Sequence, residues 1–516
     1  MPRKIGVFLL LLCFLAGCGL ERPPLKIQSS PPTESGKKVI MMIVDSLLAE
    51  PLRTLMDQNK LPAFSFLKEN GVYIDKMISS FPTMSVNIDS TLLTGAYADK
   101  HHIPGLRWYD VHAQRMVSYG DGPKSVMKLG AKQVLTDSLY RLNNEHLSQK
   151  EQTIHEELSK KGYSTASVNA LVYRGDTKQT LHVPTPFEDI QTMAPAYFVL
   201  GSFHHYLTMN PKDQFLKYYG INDQMSVEHI IQLLDHNQLP HFTLAYLPDL
   251  DHETHKAGRN PTDAVIEADR KLQQILNRYP SWQEAIKQHV FIVMGDSGVS
   301  KVKEDKTEAL IDLEQLLSPL KNVALGEKPT AADSLAIATN ERMAYLYLLE
   351  NQLDETVLLE KLAMEPRIDT VSWKDGEWIE VVQADSQKRM RFRPGNTFTD
   401  PFQQRWEIDG DREVLDLRVD TDRHDQRLAY GRYPDGLMHL YSASQSHPGR
   451  YMIVTAKPGY ELIDADSPYH VGGGAHGSFH EQDVLFPLFI AGTDKKLRTW
   501  RIVDLKSFIL DVVEGK

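Results

Sequence analysis

From Lys38 onward the chain alternates short, continuously apolar runs with longer amphipathic ones, and several of the short runs end abruptly on a polar residue or glycine. Continuous apolarity suits strands covered on both faces, and its alternation with helical periodicity predicts a parallel α/β sheet with helices on both sides. The expected strands are Val39–Val44, Ser164–Ala170, Phe242–Leu247, Val290–Met294, Met343–Leu348, Tyr451–Ala456 and Leu485–Ile490. Helical periodicity is clearest in Gln152–Lys161, Ala264–Tyr279 and Leu437–Ala443. The stretch 350–427 differs, with dense charge and short alternating segments such as Trp378–Val382. It reads as a small inserted β-rich or α+β subdomain between core portions 38–349 and 428–516.

The amino terminus follows other rules. Arg3 and Lys4 precede the apolar run Ile5–Ala16, too short for a permanent membrane span but suited to a secretory signal. Leu15-Ala16-Gly17-Cys18 resembles a bacterial lipobox, so residues 1–17 are expected to be removed and Cys18 to carry the lipid. An ordinary signal peptide with an incidental cysteine is the other reading. Residues 18–37, rich in Pro, Ser and Gly, then form a flexible tether, and the protein sits on the outer side of the bacterial cell membrane.

Cys13 and Cys18 are the only cysteines, which excludes a disulfide scaffold, a cysteine zinc site and a cysteine nucleophile in the body. The net charge of −11, without long Lys/Arg runs, argues against polymeric nucleic acid as the main partner. Small phosphorylated ligands remain open.

Ligands of an open parallel sheet bind beyond the carboxyl ends of its strands. Three apolar runs lead into carboxylates there: Val39–Val44 into Asp45, the run ending at Leu247 into Asp249 and Asp251, and the run ending at Met294 into Asp296. Each alone reads as a turn or cap residue, but three acids gathered at one edge would repel, and a bound divalent cation is the usual compensation. His255 follows Asp251 by one helical turn, and His476 lies in the glycine-rich segment 472–477. With Asp251 these imidazoles make a set suited to zinc. Ser85 precedes an apolar helical segment, where it serves equally as a cap or as a hydroxyl facing the helix N–H groups that hold a phosphoryl group.

Taken in order, Asp45, Phe81-Pro82-Thr83-Met84-Ser85 running to Thr94-Gly95, Asp251-His252-Glu253-Thr254-His255-Lys256-Ala257-Gly258, Gly295-Asp296 and His476-Gly477 resemble the alkaline phosphatase superfamily. The nucleotide pyrophosphatase/phosphodiesterase branch is the best match. The resemblance implies an alkaline phosphatase-like, doubly wound, mainly parallel sheet and two divalent metal ions, usually zinc. It implies Asp251, His255 and His476 around one ion, and Asp45, Asp296 and the nucleophile around the other. Aligned on Thr94-Gly95, the nucleophile falls on Ser85, with Thr83 as the alternative. The implied reaction is in-line attack of Ser85 on phosphorus and hydrolysis of a phosphoseryl intermediate.

Two positions depart from the family pattern. Ser297 stands where the family has the histidine of Asp-His-Gly, so the second set, Asp45, Asp296, Ser85 and Ser297, is all oxygen and open to zinc, manganese or magnesium, favouring a harder ion such as the last two unless His252, His470 or His480 contributes. Leu106 stands where phosphodiesterases carry a phosphate-binding asparagine. These departures also suit a second reading, a surface lipoprotein of the same fold that binds a ligand or partner without turnover.

Overall fold

The computed structural model describes residues 36–183, 186–204, 221–259, 261–350, 353–386, 388–420 and 426–516. The expected signal sequence, Cys18 and nearly all of the tether lie outside them. Seven strands form the central sheet: β1 (Val39–Val44), β2 (Gly71–Ile78), β3 (Thr165–Val168), β4 (Tyr197–Val199), β5 (Phe242–Leu247), β6 (Val290–Met294) and β7 (Leu485–Ala491). Their order is β2-β7-β6-β1-β5-β3-β4. Every direct pairing is parallel except those of β7, which runs antiparallel to both β6 and β2.

β1 lies near the middle because all six of its residues are apolar and buried. Its side chains alternate between two cores. Val39, Met41 and Ile43 meet Leu92, Leu244 and Ile509 on one face, while Ile40, Met42 and Val44 meet Leu52, Phe64 and Leu272 on the other. The two faces are covered by helices that include Ser85–Thr94 (α1) on the first and Thr262–Leu276 on the second. The helix expected over Gln152–Lys161 runs from Ile154 to Lys160, started by a capping box between Thr153 and Glu156.

Two of the expected strands belong elsewhere. Met343–Leu348 and Tyr451–Ala456 pair antiparallel with each other in a second, nine-stranded sheet, which runs from Leu335–Asn340 through strands of the 350–427 stretch. The β-rich unit is therefore larger than 350–427 and takes in segments on both sides of it. Met343, Tyr345 and Tyr347 face one core, and Ala344, Leu346 and Leu348 another. A strand buried on both faces is apolar throughout whichever way its neighbours run, so the pattern gave the strands and not their sheet. The turn between Leu335–Asn340 and Met343–Leu348 carries Glu341 and Arg342, with Glu341 in the left-handed region at φ 57°. This turn projects onto the glycine-rich segment: Arg342 N–H donates to His476 O at 3.0 Å. No described helix is long and apolar enough to cross a membrane.

Candidate active site

β1 is flanked by β5 and β6 in parallel, in register from Val39 against Phe242 and Val290, so the carboxyl ends of three adjacent strands emerge together. Asp45 follows β1, Asp296 follows β6 by two residues, and a helix, Asp249–Ala257 (α2), follows β5 and carries Asp251 and His255 one turn apart. Ser46 ties the three exits together. Its backbone N–H donates to Asp296 Oδ1 at 3.1 Å and its hydroxyl to Asp251 Oδ1 at 2.6 Å. To do both it takes a left-handed conformation, φ 59°, which costs a non-glycine residue about 1–3 kcal/mol and is sustained by the surrounding bonds.

Asp251, His255 and His476 form one group, with one ligand atom from each lying within 4.8 Å of the others. His255 Nε2 is 3.3 Å from Asp251 Oδ2, and His476 Nε2 is 3.9 Å from Asp251 Oδ1. In both imidazoles the other nitrogen is committed, His255 Nδ1 to Gly474 O at 2.8 Å and His476 Nδ1 to Thr83 O. Donating Nδ1–H to a carbonyl leaves Nε2 as the lone-pair nitrogen, the arrangement of a metal-ligating histidine. The backbone passes so close that Gly473 admits no side chain, since a Cβ there would lie 1.8 Å from His255 O.

Electrostatics match the geometry. Burial opposes ionisation of Asp251, but His255, His476 and the Ser46 hydroxyl outweigh it and hold the carboxyl below its usual range. Burial disfavours the charged form of His255, yet Asp251 and Glu341 push its pKa up to about 10. An ion at the Nε2 atoms would compete with the proton that Asp251 and Glu341 favour on His255.

Asp45 and Asp296 form a second group. Burial, then the negative charges of Asp296 and Asp251, push the Asp45 carboxyl well above the carboxylate range, while a hydrogen bond from Tyr246 Oη to Asp45 Oδ2 acts the other way. Asp296 is also raised by burial. Asp296 Oδ2 and Ser297 Oγ are buried with no hydrogen-bond partner among the described residues. Orphaned oxygens beside carboxylates crowded together fit a cation held by oxygen. Asp89, one turn beyond Ser85 on α1, is buried as well, its carboxyl raised by burial and by Asp296, and its Oδ1 has no partner among the described residues.

Ser85 is the first residue of α1, partly exposed, and the cap position is held by Met84. Thr83 is fully buried and engaged on three sides: its Oγ1 accepts from Gly477 N–H at 2.6 Å and donates to Ser478 O at 3.2 Å, and its carbonyl receives His476 Nδ1–H. Thr83 thus fastens the His476 segment against the start of α1. Leu106 is packed against the core, and its N–H donates to Asn340 Oδ1 at 2.8 Å.

The histidines considered for the second group sit elsewhere. His480 caps the turn Glu481–Val484, accepting from Gln482 N–H, His252 Nδ1 bonds Pro248 O, and His470 stacks on His255 beside the first group. The sequence reading did not single out Ser46, Asp89, Tyr246 or Glu341. A signal existed for the first, which directly follows the strand-ending Asp45. None existed for Glu341, which arrives from the other sheet.

A sequence model of the type I phosphodiesterase / nucleotide pyrophosphatase family matches residues 39–478. Among solved structures, the chain is similar to murine ectonucleotide pyrophosphatase / phosphodiesterase 5, an inactive variant in complex with AMP. That match has a TM-score of 0.54 and 15% identity, covering 92% of this chain and 94% of that one. The human protein of the same name matches with a TM-score of 0.53 and 15% identity over the same shares. At such identities the likeness shows the fold, an alkaline phosphatase-like α/β architecture.

Proposed function

Because the chain belongs to the type I phosphodiesterase / nucleotide pyrophosphatase family of phosphoric ester hydrolases, we propose that it cleaves a small phosphorylated substrate by metal-dependent attack of Ser85 on phosphorus. The observation that carries this reading is the convergence of Asp251, His255 and His476, with ligand atoms within 4.8 Å, on the strand edge where the His476 segment is fastened to the start of α1.

Asp251, His255 and His476 would hold one divalent cation, suited to zinc by their nitrogen content, and Asp45, Asp296 and Ser85 a second, for which the oxygen set suits manganese or magnesium. Bound cations would supply charge stabilisation for the phosphoryl group and lower the pKa of a hydroxyl beside them. The chain's own part is to place Ser85 Oγ at the amino end of α1, where backbone N–H groups point at anionic oxygens. Ser85 gives up its proton to solvent and forms the O–P bond as the bond to the leaving oxygen breaks. Water then cleaves the phosphoseryl ester and regenerates the hydroxyl. Thr83 keeps the His476 segment in place and takes no part in bond making. Leu106 offers no donor to phosphate, so stabilisation falls on the cations and the helix N–H groups.

The lipobox-like segment ending at Cys18 supports an extracytoplasmic, lipid-anchored location, where phosphorylated small molecules outside the cell are the available substrates.

The test is turnover of bis-p-nitrophenyl phosphate and p-nitrophenyl phosphate by purified protein after metal removal and reloading with zinc, manganese or magnesium. Activity that returns with a metal and disappears in Ser85→Ala supports the hydrolase. Bound metal with no turnover under any ion, unchanged by Ser85→Ala, supports the ligand-binding reading that Ser297 and Leu106 motivate.

A further inference from the structure

Resting on the metal-dependent reading above, we propose that Glu341 and His470 are two further ligands of the ion held by Asp251, His255 and His476.

A second three-residue group, His255, Glu341 and His470, also has ligand atoms within 4.8 Å of one another, and it shares His255 with the first. The two groups use the same atom. His255 Nδ1 is occupied by Gly474 O, and Nε2 is the nitrogen that faces both Asp251 Oδ2 at 3.3 Å and Glu341 Oε1 at 3.9 Å. A single lone pair serves a single ion, so the two groups cannot be filled as separate sites through this nitrogen, and the proposal gathers their donors around one ion.

Each added residue is prepared for the role. Glu461, fully buried, clamps His470 twice, accepting its backbone N–H at 2.7 Å and its Nδ1–H at 2.8 Å. That leaves Nε2 of His470 free, as in His255 and His476, and makes a carboxylate–histidine pair of the kind that supports metal ligands. The His470 ring stacks on His255 with centroids 4.0 Å apart. Glu341 divides its carboxylate: Oε2 accepts His476 N–H at 2.9 Å, and Oε1 faces His255. The turn between two strands of the second sheet holds it there in a left-handed conformation. Five protein donors would leave less of the ion open to substrate than the three-residue motif alone.

Metal-stripped full-length protein titrated with Zn2+ against a chromogenic chelator, and with Co2+ followed by its visible absorption, tests the proposal without relying on turnover. His470→Ala and Glu341→Gln are expected to weaken Zn2+ binding about tenfold or more and to change the Co2+ band, with Glu461→Gln giving a smaller loss in the same direction. His470→Gln, closer in size, repeats the test should His470→Ala lower the thermal stability of the metal-free protein. Zn2+ affinities and Co2+ spectra indistinguishable from wild type in His470→Gln and Glu341→Gln, alongside lost binding in His255→Ala, overturn the proposal and leave the three-ligand centre standing. Undiminished binding in His255→Ala and Asp251→Asn as well overturns the centre itself.

Discussion

The hydroxyl of Ser46 donates to Asp251 Oδ1 across 2.6 Å, joining the second residue after β1 to a carboxylate carried by the helix after β5. Since Ser46 N–H also holds Asp296, one residue fixes the spacing between the two proposed cation positions. Ser46→Ala keeps the backbone bond and removes the hydroxyl. It is expected to lower zinc affinity and kcat/KM about 10–100-fold, the range for loss of a partner that orients a metal ligand. Metal titration and steady-state kinetics on one preparation check it, and wild-type values in both would show that Asp251 needs no such support.

Ser85 and Thr83 are expected to separate cleanly. Ser85→Ala removes the proposed nucleophile and should reduce kcat by about a thousandfold or more while leaving the melting temperature near wild type. Thr83→Val loses two buried hydrogen bonds, each worth about 1 kcal/mol or more, and should melt earlier and bind metal less tightly, with Thr83→Ser restoring both. A variant at Thr83 that folds and binds metal normally but is inactive would transfer the nucleophile to it.

Tyr246→Phe tests the Asp45 environment. The Tyr246 hydroxyl lowers the pKa of Asp45 against burial and the neighbouring carboxylates, so its removal raises that pKa further. A cation at the Asp45 position competes with protons, and the acidic limb of the pH–rate profile should therefore move to higher pH. The profile measured at fixed, subsaturating Mn2+ is the readout, and an unmoved limb would place the limiting ionisation elsewhere.

His155 bears on stability rather than chemistry. It is fully buried against Phe242, neither ring nitrogen has a partner among the described residues, and burial lowers its pKa to about 3. The unfolded chain takes up that proton near pH 6.5 and the folded one only near 3, so stability is complete above the upper value and is lost as pH falls between the two. From pH 7 to pH 5 this one group removes about 2 kcal/mol. His101, His439 and His447 are lowered to about 3 by the same cause. Denaturant unfolding should show a steep loss of stability over that interval, and His155→Phe should recover part of it. Equal losses in both proteins would assign the acid sensitivity to other groups.

The middle of the central sheet was legible because its strands are buried on both faces: β1, β5 and β6 occupy the residues their apolar runs marked, whereas the half-exposed edge strand β2 carries no such run. The convergence of Asp45, Asp251 and Asp296 was legible for the same reason, since acids that terminate neighbouring parallel strands must meet. What local pattern does not carry is pairing between distant segments. Met343–Leu348 and Tyr451–Ala456 were visible as strands but not as members of an antiparallel sheet. Glu341 lies in a turn of that sheet and meets His476 only through tertiary packing. The position of His470 beside His255 was not legible either, because its clamp on Glu461 comes from folding rather than spacing.

Thr83 and His476, whose contact fastens one proposed cation ligand to the start of α1, are 393 residues apart in the chain. A partly made chain thus lacks the third ligand of the first group until its closing segment has been synthesised and docked. On the proposed reading the complete ligand set is a late acquisition of folding, and a truncation removing the final strand and His476 would leave Asp251 and His255 without their partner, however much of the central sheet has assembled.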